Sequence, residues 1–259
     1  MRTTLTAVSA LALLASVPFA PANAADVYSP QASYKDTPVV VVPTWTGFIV
    51  GVGAVGAYVN HDTSLQIDNT EIIGANGLAG FGPGADFLVG FRYQFPQSRL
   101  VFGIEAEYDI TSAPFTLSIP PANGFSANID LQGQWAILGT VGLVINPNTM
   151  AYVGGGFGEG FFHINPGVPF TVVGLNTNPT VQEAVFKAGL EAKLPWVASG
   201  AFIRGEYEFR AGETVTLWSH QSCGECSKVA IRDTPDTNVA KVVLGYQFGV
   251  NSSPLESFK

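Results

Sequence analysis

Thirteen ionisable side chains fall on alternate positions of five short apolar segments. In "RLVFGIEAEYDI", Glu105, Glu107 and Asp109 share one parity, opposite Leu100, Phe102, Ile104, Ala106, Tyr108 and Ile110. "AFIRGEYEFR" sets Arg204, Glu206, Glu208 and Arg210 against Ala201, Ile203, Tyr207 and Phe209. "DFLVGFRYQF" contributes Arg92, "EAVFKAGLEAKL" contributes Glu183, Lys187, Glu191 and Lys193, and "AKVVLGYQF" contributes Lys241. Six cations face seven carboxylates, near enough to balance for a network of mutually satisfied ion pairs. Two kinds of chemistry fit. The network either plugs the interior of a narrow closed sheet, where eight strands leave room only for side chains, or lines a narrow or gated pore.

A second constellation is "HQSCGECSK", with His220, Cys223 and Cys226 at H-x-x-C-x-x-C spacing. Read as a metal site, it supplies three ligands and needs a fourth. Haem attachment requires His directly after Cys226, where Ser227 stands. In an exported chain the pair reads most simply as a local Cys223–Cys226 disulfide. Acyl transfer needs a serine with an activating base, and Ser219-His220 are merely sequence neighbours. No nucleophile elbow, phosphate loop or paired-carboxylate motif stands out, so no catalytic residues are assigned and an enzyme is not expected.

The elements that carry these residues are decided by the run "TPVVVVPTWTGFIVGVGAVGAYVN", Thr37–Asn60, 24 residues without a charge. Its length would let a helix cross a bilayer, and Gly47 and Gly51 have the spacing of a helix-contact motif. Against a helix stand Pro43, Gly47, Gly51, Gly53 and Gly56, many β-branched residues, and the later segments, which cross as strands or not at all. A helix cannot complete such a wall, because an open sheet edge in lipid leaves backbone groups unpaired.

Period-two patterning predicts eight strands: 44–60, 85–95, 99–110, 130–146, 149–162, 182–194, 200–210 and 239–248. "FPQSR", "NPNT" and "LPWVASG" make tight turns. The other connectors, about 61–84, 111–129, 163–181 and 211–238, are expected to be long loops. Alternation of short and long connections is the plan of an outer-membrane barrel. The fold class is therefore all-β, an eight-stranded antiparallel up-and-down transmembrane barrel. Parity follows from cost: Lys or Arg facing lipid at the midplane costs about 2–4 kcal/mol, so the charges point inward. Only "AYVGGGFGEGFF" resists, since Glu159 spoils either face unless it sits at headgroup level. Trp45, Tyr93, Phe95, Trp196, Tyr246 and Phe248 are expected to form the periplasmic aromatic girdle, and Tyr58, Tyr108, Trp135 and Phe209 the outer one.

Arg2, the apolar stretch Ala7–Val17 and Ala22-Asn23-Ala24 read as a signal peptide cleaved between Ala24 and Ala25. The expected organisation is signal peptide 1–24, periplasmic linker 25–43, barrel 44–248 and periplasmic tail 249–259. A net charge of −8 argues against nucleic acid as partner. Only 12% of residues are charged, against roughly 25% in soluble domains, which points to a bilayer. The outer connectors carry Asp62, Asp68, Glu71, Asp130, Glu213, Glu225, Asp233 and Asp236 against Lys228 and Arg232. Such a charge run is usually a solvated face; the alternative is divalent-cation bridging to lipid phosphates.

Ala25-Asp26, a proline-containing linker, then Trp45-Thr46-Gly47-Phe48 and Val50-Gly51 opening strand one resemble the alphaproteobacterial outer-membrane immunogenic protein family, porin-like barrels related to the OmpA-type membrane domain. The resemblance covers the mature chain in layout, and "WTGFIVG" is its most specific part. It implies the bacterial outer membrane, contact with its lipid and lipopolysaccharide, insertion by the barrel-assembly machinery, and surface loops seen by antibodies. It implies nothing on oligomeric state. Haem-binding members raise haem as a ligand of His61, His163 and His220, all placed at outer loops. Two features depart from the family: Tyr246-Gln247-Phe248 is followed by Gly249–Lys259, and Cys223/Cys226 lie outside the pattern. The function expected is structural and interactive in the envelope, with a passive diffusion channel or a surface haem binder as alternatives.

Overall fold

A computed structural model describes residues 41–42, 45–119, 125–166, 175–220, 227–249 and 253–254. The signal-peptide junction at Ala24 and Ala25 and the Cys223/Cys226 pair lie outside the described residues. Eleven strands follow in order: β1 (Val41–Val42), β2 (Gly47–Ile67), β3 (Thr70–Gln94), β4 (Leu100–Ile119), β5 (Phe125–Asn146), β6 (Thr149–Pro166), β7 (Thr180–Lys193), β8 (Ala201–Gly212), β9 (Val215–His220), β10 (Val229–Phe248) and β11 (Ser253–Pro254).

Each wall strand pairs antiparallel with its neighbour, β2 through β8 and then β10, and β10 pairs back onto β2 from Phe48↔Phe248 to Ile67↔Val229. Closure removes the open edges that lipid cannot satisfy. β9 carries the line of β8 outward along β10, from Asp233↔Val215 to Val229↔His220. β1 and β11 form a separate two-residue pairing, Val41↔Pro254.

The eight expected strands are all present, and the outer connectors are corrected. Much of 61–84, 111–129 and 211–238 is strand rather than loop. β2 and β3 meet through Asp68-Asn69, whose φ angles of 52° and 66° fit the primed turns that match strand twist. The Asp68 backbone N–H donates to the Lys228 carbonyl at 2.9 Å, while the Lys228 N–H donates back to Asp68 Oδ1 at 2.7 Å. The Ser227 hydroxyl and this N–H hold the exposed Asp68 carboxyl below its usual range. A carboxyl so shifted supports the clasp above its unfolded-state pKa and ceases to do so as pH falls through the folded value.

Periplasmic turns are as tight as expected: the Asn148 N–H donates to Asn146 Oδ1 at 2.9 Å, and the Leu194 N–H to the Ala201 carbonyl at 2.8 Å. Outward side chains form an apolar belt: Phe48, Val50, Val52, Phe87, Val89, Ile104, Val153, Phe186, Leu190, Val242 and Leu244 are all exposed. From Phe48 to Tyr58 a tilted strand climbs about 25 Å, the height of an outer-membrane hydrocarbon band. Glu159 resolves on the outward parity, where the Trp135 indole N–H donates to its Oε2 at 3.3 Å near the outer rim.

Candidate functional site

The lumen is built from the inward parity of every wall strand, and it divides into three levels. At the periplasmic mouth the chain turns in before β2. Trp45, expected in the aromatic girdle, is instead 1% exposed and packs with Val101, Met150 and Tyr152. Its ring lies 4.2 Å from the Lys193 ammonium, a cation–π contact. The turn is held by the Trp45 N–H on Gln94 Oε1 at 3.0 Å, by the Gln94 N–H on Thr46 Oγ1 at 2.9 Å, and by Gln247 Nε2 on the Thr46 carbonyl at 2.9 Å. Gly47 has no substitute here, because a Cβ would lie 1.9 Å from the Phe248 carbonyl oxygen. Phe48 then points out, tilted on Phe91 with ring centroids 4.9 Å apart. The "WTGF" motif thus forms a stopper and the first outward anchor. Trp45→Ala is expected to cost about 3 kcal/mol, as deep aromatic truncations do, read as a lower urea midpoint of the refolded barrel.

The middle level holds the ionisable residues. Arg92, Glu105, Glu107, Asp109, Lys187, Glu191, Arg204, Glu206, Glu208, Arg210 and Lys241 are all buried. Arg204 places Nη1 and Nη2 on the two oxygens of Glu105, each at 3.0 Å, the bidentate geometry a guanidinium favours. Its Nε reaches Glu191 at 3.2 Å, and Arg92 Nη1 reaches the other oxygen of Glu191 at 2.8 Å. Lys187 bridges Glu105 at 2.7 Å to Glu107. Lys241 meets Glu107 at 2.9 Å, Asp109 at 3.0 Å, Glu208 at 2.9 Å and Asp86 at 3.3 Å. Arg210 meets Glu208 at 2.9 Å, Asp109 at 3.2 Å and Glu183 at 3.3 Å.

Sequence reasoning missed three members. Asp86 shares the parity of Arg92 but precedes the apolar run that marked the strand. Gln134 donates to Asp109 at 2.8 Å. The Tyr152 hydroxyl donates to Glu206 at 2.5 Å, and its ring lies 4.9 Å under the Arg204 guanidinium. Tyr152 sits on β6, whose glycines blurred the alternation. With Asp86 included, eight buried carboxylates, including Glu183, face six buried cations, including Lys193.

The outer level is apolar. Val59, Phe115, Ile129, Leu131, Phe162, Ile164, Val181 and Leu217 pack inside the strand extensions. His61, expected at an outer loop, is 1% exposed among them, stacked on Phe115 with centroids 4.9 Å apart. Its Nδ1 pairs with Asp233 at 2.7 Å, and the Thr63 hydroxyl donates to the other Asp233 oxygen at 2.9 Å. Asp233, expected on the surface, is therefore a buried partner. His163 and His220 lie elsewhere: His163 contacts Asn178 and Asn165, and His220 stacks on Trp218. The void among Ala127, Ile129, Ile164, Leu175, Leu217, Trp218 and Ile231 measures about 10 Å³, room for at most one water.

No protein-family model and no curated protein sequence matches the chain. Among solved structures, it is similar to the outer membrane protein OprG from Pseudomonas aeruginosa, with a TM-score of 0.55 and 14% identity over 78% of this chain and 96% of that one. Looser likenesses include Neisserial surface protein A, with a TM-score of 0.40 and 10% identity over 78% of this chain and 98% of that one. Another is Ail, the attachment invasion locus protein of Yersinia pestis, at 0.35 and 13% identity over 76% and 99%. The likeness to OprG shows the fold: an outer-membrane β-barrel, in agreement with the apolar belt and the closed sheet.

Proposed function

We propose that this outer-membrane barrel is a closed, non-catalytic envelope protein, whose wall anchors it in lipid and lipopolysaccharide and whose outer extensions make surface contacts. The observation that carries this reading is how completely side chains fill the lumen. Asp109, Lys241, Glu191, Arg204, Glu208 and Arg210, all on the inward parity, retain 0–3% exposure. A water-filled passage would expose them. The finer reading, membership of the immunogenic outer-membrane family, is supported by Trp45-Thr46-Gly47-Phe48 acting together as stopper and anchor. The test is planar-bilayer conductance of the refolded mature chain, with folding checked by heat-modifiable gel mobility. A silent, folded barrel is expected; discrete reproducible steps would replace this reading with a passive diffusion channel.

A further inference from the structure

The wall strands continue beyond the belt, and in one place adjacent strands part. β3 pairs with β4 from Gln94↔Val101 only as far as Gly84↔Thr111. Pro83 and Pro114 stand just beyond on the two strands, and neither has an N–H to extend the ladder. From Thr70 to Pro83, β3 pairs with β2 alone. Gly80 and Gly82 still lie close against the Ala113 and Ser112 carbonyls; outward of them the β3 edge has no strand beside it among the described residues.

Up to Gly77 the hairpin also has little cover on its faces, whereas Leu78 packs on the apolar outer level. Thr70, Glu71, Ile72, Ile73, Gly74, Asn76 and Gly77 are all exposed. Ile72, left without a β2 partner where the register shifts between Leu65↔Ile73 and Gln66↔Glu71, and Ile73 keep 55% and 62% of their surface. Edge strands are ordinarily blunted with lysine, proline, inward charge or bulges; of these devices the β3 edge carries only bulges, where its register against β2 shifts at Ile72 and at Asn76-Gly77. Between Thr70 and Gly82 there is no Lys, Arg or Pro, and Glu71 is the only charge.

We infer that the outer edge of β3, Thr70–Ala79, is a binding site for an extended polypeptide strand of another protein, captured by backbone pairing. The chemistry of the edge selects the partner class. A row of free N–H and C=O groups is satisfied by another strand, with alternate side chains reading its pattern. Ile72 and Ile73, both exposed, call for apolar side chains on the incoming strand. Glu71, with Asp62 and Asp68 on the same hairpin, calls for a basic residue near its end.

The test uses the full mature chain in lipid nanodiscs. The probe is a short synthetic peptide of alternating Val and Thr with one terminal Lys. Its control has the same sequence with alternate amides N-methylated, which cannot pair along a strand. Hydrogen exchange of the Ile72–Ala79 amides is followed with and without each peptide. The free protein should show fast exchange at the amides that point away from β2. The pairing peptide should slow them by roughly tenfold or more, as burial in a ladder does, and the methylated one should not. Asn76 faces no β2 residue in the register, so Asn76→Pro should spare the hairpin and abolish the response. Protection already present in the free protein, equal effects of both peptides, or no response at all would each overturn the proposal.

Discussion

Lys241→Met is expected to lower the stability of the barrel by about 3–5 kcal/mol, the range found when one member of a buried charge network is removed. The reason is local. The Lys241 ammonium has four carboxylates within 3.3 Å: Asp86, Glu107, Asp109 and Glu208. Glu107 and Asp109 also touch Lys187 and Arg210 respectively, but among the described residues Asp86 has no other cation within salt-bridge distance. Methionine keeps most of the volume, so the loss is electrostatic rather than a cavity. The measurement is reversible urea unfolding in lipid vesicles. A change under about 1 kcal/mol, the scale of an exposed pair, would show that water reaches the cluster and that the lumen is not dry.

The companion substitution has the opposite expectation. Asp86→Asn should change stability by less than about 1 kcal/mol, or raise it, since trimming an excess buried charge relieves desolvation. Asp86 is one of eight buried carboxylates facing six cations. Its single ion-pair contact, 3.3 Å to Lys241, is the longest of that cation's four. A large loss at Asp86 together with a small one at Lys241 would reverse the roles assigned to the two residues.

How much of this was legible before the structure differs by level, for physical reasons. The membrane band imposes a strict rule, apolar out and charged in, and that rule writes itself as period two. Arg204-x-Glu206-x-Glu208-x-Arg210 could therefore be placed inward from sequence alone. Above the band the outward side meets water and the inward side packs on other strands. Alternation there weakens or inverts in chemical type, as in His61-x-Thr63, both buried, so 61–84 read as loop. Asp68-Asn69 carried the turn signal for this hairpin, but only Leu65-x-Ile67 alternates beside it, too short a pattern to mark two strands. Trp45 was misplaced because an aromatic at a strand end has two plausible homes, the girdle and the mouth. Only the tertiary position of Lys193, 4.2 Å from its ring, decides between them. Strand β6 was blurred because glycine has no side chain to declare a face.

The second large expected effect is the appearance of conductance in Arg204→Ala/Glu105→Ala. These two side chains form the bidentate pair of the middle level and lie on β8 and β4, so deleting both removes bulk across the lumen. It removes one charge of each sign, leaving seven buried carboxylates facing five cations out of the original eight and six. The surplus of negative charge is unchanged, and a channel opened through it should prefer cations. Folded wild-type barrel should be silent in a planar bilayer, and the double variant should give discrete, cation-selective steps. The variant will be less stable, so each preparation needs its own check of folded mobility on gels. A folded but silent variant would mean that the ion pairs are not the barrier. The obstruction would then lie at Trp45 or in the apolar packing of Phe115, Phe162 and Leu217, and adding Trp45→Ala would separate those two sites. Anion-selective steps would contradict the charge balance itself, and would require that the surplus carboxylates be neutral in the open lumen.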